Sequence, residues 1–136
     1  MLPRDPIEAS RYFIDTVNRS DWEDHIDQFY AGQEWWDDWW ESHRAFRKAF
    51  PDYKYTIDYI AADGEIVCYF GTVEGTHAAE FPFGELKGIA PTGEKCTWSE
   101  AWWSRTVDGK PVEGGFVADG VARLQQLGVL PAPDSD

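Results

Sequence analysis

The chain has 136 residues, of which 43% are hydrophobic and 16% aromatic, with eight Trp. This fits one globular domain and excludes disorder over most of the length, because disordered chains lack the apolar side chains that offset ordering entropy. Twenty-five Asp and Glu against 12 Lys and Arg give a formal net charge of -13, a field that repels phosphate backbones and anionic lipid head groups and so argues against nucleic-acid and membrane partners.

No run approaches the roughly 18 apolar residues of a membrane helix, and the start MLPRDPIEAS lacks an apolar export signal, so the expected location is cytoplasmic. Cys68 and Cys96 are too few and too far apart for a disulfide framework or a zinc site with CxxC pairs, and both are expected as buried thiols.

Two helix starts stand near the N-terminus. Asp5-Pro6-Ile7-Glu8 offers a capping acid and a proline at the first helical position, and Ser20-Asp21-Trp22-Glu23 reads as a capping box. The first helix presents Ile7, Tyr12 or Phe13, Ile14 and Val17. The second presents Trp22, Ile26, Phe29 and Tyr30, and Gly32 ends it.

From Glu34 to Phe50, Trp36, Trp39, Trp40, His43, Phe46 and Phe50 recur every three or four residues, which predicts a third, longer helix. It ends at Phe50, because Pro51 disfavours helical geometry in its predecessor. Trp36, Trp39 and Trp40 are expected to bury, with Trp35 nearer the edge; His43 is expected to pack against the sheet.

After residue 52 the period becomes strand-like. Tyr53, Tyr55, Ile57 and Tyr59 alternate with polar neighbours, Ala62-Asp63-Gly64-Glu65 turns, and Ile66 to Thr76 is rich in β-branched and aromatic residues. A connection rich in Pro and Gly, Phe81 to Gly93, precedes a second hairpin: Lys95 to Val107, a turn at Asp108-Gly109, and Val112 to Ala118. Asp119 then caps a short helix, Val121 to Leu127, ended by Gly128. The order predicts an α+β domain over residues 1–131, three N-terminal helices packed on one face of a curved antiparallel sheet, with a loose tail at 132–136.

Six segments together resemble the SnoaL-like polyketide (ester) cyclases of the nuclear transport factor 2-like superfamily. They are Ala49-Phe50-Pro51-Asp52, Asp63-Gly64-Glu65-Ile66-Val67, Gly75-Thr76-His77, Pro91-Thr92-Gly93, Asp108-Gly109-Lys110-Pro111-Val112-Glu113, and Asp119 with Leu124-Gln125-Gln126-Leu127-Gly128. The resemblance spans residues 46 to 131. It implies a cone of curved sheet and helices around a pocket, and an intramolecular aldol ring closure on a small hydrophobic carbonyl compound without metal or organic cofactor. It also implies Asp119 as the proton-abstracting carboxylate and His77 as its partner in the same pocket. A non-catalytic small-molecule binder on the same scaffold is the alternative.

The chemistry has a physical requirement of its own: a carboxylate becomes a useful base for carbon acids when burial raises its pKa, and the developing enolate needs a donor. Glu100 shares a strand face with Trp98 and Trp102, opposite Ser99, Ala101 and Trp103. If the first face looks inward, Glu100 is a second pocket carboxylate. Trp98, Trp102, Tyr55, Tyr59 and Phe116 are the expected substrate-lining residues, with one bulge sufficient to reverse the faces. The three His, at 25, 43 and 77, have no metal-ligand spacing. The surplus of indoles points to a homodimer, formed on the open sheet face.

Two features depart from the family pattern. The link Phe29 to Glu34 is short, which leaves the pocket mouth wider or walled by Trp. Gly114-Gly115-Phe116 lacks a large aromatic near Gly115, so that Trp102 or Trp103 fills the space or a ligand does.

Overall fold

A computed structural model of the chain describes residues 1–134; the last two residues of the expected tail lie outside the described residues. Its elements in chain order are α1 (Pro6–Val17), two 3-10 turns (Trp22–Asp24 and Ile26–Phe29), α2 (Trp36–Ala49), β1 (Lys54–Asp63), β2 (Ile66–Thr76), a 3-10 turn (Gly84–Leu86), β3 (Lys95–Val107), β4 (Lys110–Ala118) and α3 (Gly120–Gln126). The strands form one antiparallel sheet in the order β1-β2-β3-β4, and the helices pack on one face of it. This is the expected α+β architecture. No helix among the described residues is long and apolar enough to cross a membrane.

The local chemistry explains most of the boundaries. Asp5 accepts from the Glu8 N–H at 3.0 Å and starts α1. Phe50 closes α2 with φ -128° and ψ 78°, as the following proline requires. Asp119 accepts from the Ala122 N–H at 3.0 Å, and Gly128 ends the last helical segment with φ +78°.

Residues 22–29 depart from the expected single helix. The capping box does not form: its Glu23 accepts from Arg44 and from the Trp40 indole, and Asp21, held by Arg19 and His25, makes no cap hydrogen bond. Without a capped N-terminus the segment winds as two 3-10 turns, which still bury Trp22, Ile26 and Phe29.

The core lies between α1, α2 and the inner sheet face, around Phe13, Phe29, Trp36, Phe50, Tyr55, Val67, Val73 and Trp98. Phe13, not Tyr12, is the inward residue of α1. Only Trp36 of the α2 indoles is fully buried; Trp35, Trp39 and Trp40 are half-buried. Cys96 is buried as expected, whereas Cys68 is exposed on the outer sheet face. They stand at opposite ends of the sheet, since Cys96 pairs with Gly75 and Cys68 with Trp103.

A bulge in β1 sets which side chains can face the interior. Ile57 pairs with Gly71 and Tyr59 with Phe70, so Asp58 is the extra residue. Tyr55 lies before the bulge and points in; Tyr59 lies after it and points out, 74% exposed.

Candidate active site

Two adjoining cavities lie between the helices and the inner sheet face. The first, about 340 Å³, is lined by Trp39, Ser42, His43, Phe46, Tyr53, Phe81, Phe83, Gly84, Glu85, Leu86, Glu100, Trp102, Phe116, Ala118 and Arg123. The second, about 380 Å³, is more apolar; its walls include Phe13, Trp35, Trp39, Tyr69, Trp102 and Phe116. Trp39, Ser42, Trp102 and Phe116 line both, and both volumes are in the range of small-molecule sites.

The alternation of β3 decides the character of the first cavity. Trp98, Glu100 and Trp102 face inward and Ala101 and Trp103 outward. Glu100 is only 5% exposed. Its two carboxylate oxygens accept from the Trp98 and Trp102 indole N–H groups, each at 2.9 Å. Burial pushes the Glu100 carboxyl above the ordinary range, against the two indole donors and the nearby Arg123, which pull it down. The result is a desolvated carboxylate, held rigidly and open to a cavity.

Five further polar side chains line the same cavity, Ser42, His43, Tyr53, Glu85 and Arg123. His43 of α2 is stacked on Trp39 at 5.3 Å and meets the edges of Trp22 and Tyr53. Burial lowers its pKa to about 3, with the nearby Arg47 charge adding to the effect, so the imidazole is neutral near pH 7. Its Nε2 is buried without a hydrogen-bond partner among the described residues. Tyr53 has its phenol pushed well up, by burial and then by the charge of Glu100, and stays protonated. Arg123 of α3 is 6% exposed, stands 4.8 Å over the Trp98 ring, and donates to Glu85 at 2.6 Å.

The sequence-derived site residues are only partly brought together. Glu100, Trp98 and Trp102 form one unit, and Phe116 stacks on Trp102 at 4.7 Å at the border of both cavities. Tyr55 is buried in the sheet layer instead of lining a cavity. Its hydroxyl donates to the Glu100 carbonyl at 2.9 Å, and its ring covers Gly71, where a Cβ would come within 2.5 Å of it. Tyr59 is turned outward by the bulge, away from both inner cavities.

Asp119 and His77 are not brought together in one cavity. Asp119 is exposed, caps α3 and lines neither cavity, although it adjoins the first through Ala118 and Gly120. His77 is 0% exposed. It packs on Phe50, and its Nδ1 accepts from the Thr92 N–H at 3.2 Å, anchoring the long connection after β2.

Sequence reasoning passed over His43 as a packing residue and did not single out Tyr53 or Arg123. The signals were present: His43 is the polar member of the α2 apolar stripe, and Arg123 stands four residues before buried Leu127 on the same face of α3. Both departures from the family pattern are filled by indoles. Trp35 and Trp39 wall the second cavity, and the Trp103 indole nitrogen lies 2.9 Å from where a Cβ at Gly115 would stand. No cluster of three or more His, Cys, Asp or Glu side chains suited to a metal ion occurs among the described residues.

The model of the SnoaL-like polyketide cyclase family matches residues 8–127. The chain belongs to that family. Among solved structures similar to this chain, AclR from Streptomyces galilaeus, a candidate hydroxylase, is 28% identical with a TM-score of 0.79, covering 93% of this chain and 98% of its own. IdmH from Streptomyces antibioticus, a candidate polyketide cyclase, is 25% identical with a TM-score of 0.75, covering 92% and 99%. A candidate SnoaL-like cyclase from Jannaschia sp. CCS1 shares the fold at 14% identity, with a TM-score of 0.77 and 93% of each chain covered. No curated protein matches the chain in sequence.

Proposed function

We propose that this SnoaL-like protein is a cyclase-type enzyme performing cofactor-free, aldol-type acid/base chemistry on a hydrophobic carbonyl compound, with Glu100 as the base. The observation that carries this reading is the buried Glu100 carboxylate, fixed by two indole donors and open to a cavity. A carbonyl compound seated there loses the proton on its α-carbon to Glu100. The enolate carbon attacks a second carbonyl of the same molecule, forming the new carbon–carbon bond, and protonated Glu100 returns the proton to the alkoxide. Burial supports both halves of the cycle, because it makes the carboxylate a stronger base and its acid form a competent donor.

The test is solvent-deuterium incorporation into the α-carbon of 2-tetralone, an apolar bicyclic ketone, above the buffer rate. Glu100→Gln is expected to lower the enzymatic rate by about 10²–10⁴-fold, the range for removing a general base. Asp119→Asn is expected to stay within about threefold of the unmodified protein, since the amide preserves the cap. The reverse pattern would move the base to Asp119.

Similarity to AclR favours a second reading, hydroxylation. Dioxygen consumption dependent on the carbonyl compound separates it from aldol chemistry, which consumes none.

For assembly the proposal is a homodimer. Tyr59, Phe70, Trp103 and Val117 are exposed on the outer sheet face, where a second copy would cover them. Sedimentation equilibrium of a Val117→Lys variant, expected to be monomeric, checks it.

A further inference from the structure

The first cavity contains a charged donor whose bonding is incomplete. Arg123 is more than nine-tenths buried. A guanidinium has five N–H groups and does not deprotonate in proteins. One terminal nitrogen donates to Glu85 at 2.6 Å, and the face of the group covers the rings of Trp98 and Phe46 at 4.8 and 5.8 Å. The Nε–H is buried and has no partner among the described residues. A buried polar atom left unpaired costs stability, more so when it is charged, so this donor calls for an acceptor.

The surroundings narrow what the acceptor is. The titratable groups facing the cavity besides Arg123 are Glu100 from β3, His43 from α2, Tyr53 from the link between α2 and β1, and Glu85 from the 3-10 turn after β2. His43 is neutral, and Glu85 is half-exposed at the rim. Arg123 is therefore the cation opposite Glu100. Removing a proton from a neutral ketone moves the negative charge from Glu100 to the ketone oxygen and leaves the net charge of the cavity unchanged.

We propose that Arg123 is the oxyanion-binding group of this site: its Nε–H receives the enolate oxygen, and Glu85 occupies the guanidinium in the free protein. In the step, the α-carbon–hydrogen bond breaks and the proton passes to Glu100. The electron pair moves onto the carbonyl oxygen, which Arg123 hydrogen-bonds. A preoriented cationic donor in a desolvated site acts where charge develops and needs no reorganisation. The apolar remainder of the ligand extends past Trp39, Trp102 and Phe116 into the second cavity. The inference rests on the reading of Glu100 as base.

The test uses 2-naphthol, whose ionised form resembles an enolate and has its own absorption band. Glu100→Gln supplies a neutral stand-in for the protonated base. In E100Q, bound 2-naphthol is expected to ionise at least tenfold more readily than free 2-naphthol. Adding Arg123→Met should abolish that gain while binding of the neutral form stays within about threefold, and Arg123→Lys should recover part of it. Glu85→Gln, which frees Arg123, is expected to increase naphtholate affinity several-fold without touching Arg123.

Equal ionisation with and without Arg123 would overturn the proposal, and so would failure of 2-naphthol to bind at all. Matched losses of thermal stability in R123M and E85Q, with unchanged naphthol spectra, would reduce the pair to a structural clamp. If naphthol ionisation depends on Arg123 but E100Q still exchanges deuterium into 2-tetralone, the base assignment falls and the oxyanion site stands.

Discussion

Glu100 and Asp119 belong to neighbouring stretches of the sheet. Glu100 pairs with Ala118, and the Asp119 N–H bonds to the Ser99 carbonyl at 2.9 Å. Their environments are nonetheless opposite. Glu100 sits mid-strand on the inner face, under α2, with both oxygens on indole donors. Asp119 sits past the strand end, in solvent, with its carboxylate committed to the first turn of α3. One residue of register separates a desolvated carboxylate from a solvated cap, because position along a strand decides which face a side chain meets and whether a helix covers it.

The sharpest break of this comparison is Glu100→Asp. Shortening the arm by one methylene withdraws the carboxylate from both indoles and from the cavity. A displacement of about 1 Å costs on the order of 10² in rate, so deuterium exchange into 2-tetralone should fall by about that factor while the fold is retained.

The next effect concerns stability. His43 has its pKa lowered from 6.5 to about 3, so it binds a proton more weakly folded than unfolded. The stability it contributes is complete above pH 6.5 and is lost as pH falls toward 3. Between pH 7 and pH 5 the loss is about 2 kcal/mol by linkage. Urea denaturation at the two pH values should show that difference, and His43→Phe should reduce it by about the same amount.

Asp119→Ala removes an N-cap and is expected to cost about 1 kcal/mol of stability with exchange activity retained. Trp102→Phe keeps the stack with Phe116 but removes one donor to the ionised form of Glu100. The low-pH limb of the exchange profile should therefore move upward, by less than one pH unit; a downward shift would contradict the role of the indole.

Much of the fold was legible because its signals are local. Pro51 ends α2, the period changes after residue 52, and Asp5 and Asp119 cap as their neighbours demand. The failures came from competition over distance. Glu23 left its capping box for Arg44, and the bulge at Asp58 turned Tyr59 outward. The site was legible in part. Alternation placed Glu100 with Trp98 and Trp102, but which face looked inward depended on helices packed from elsewhere in the chain. His43 and Arg123 carried a readable cue, a polar residue at a buried position. Their meeting in one cavity depends on α2 and α3 both packing around that cavity.

The most direct measurement is a carbon-13 NMR titration of the Glu100 side-chain carboxyl, assigned by its disappearance in E100Q. The account predicts a midpoint above the ordinary glutamate range and a change in that resonance when 2-naphthol binds. A midpoint at or below the ordinary range, unmoved by the ligand, would mean that Glu100 is a structural acceptor for two indoles and not the base.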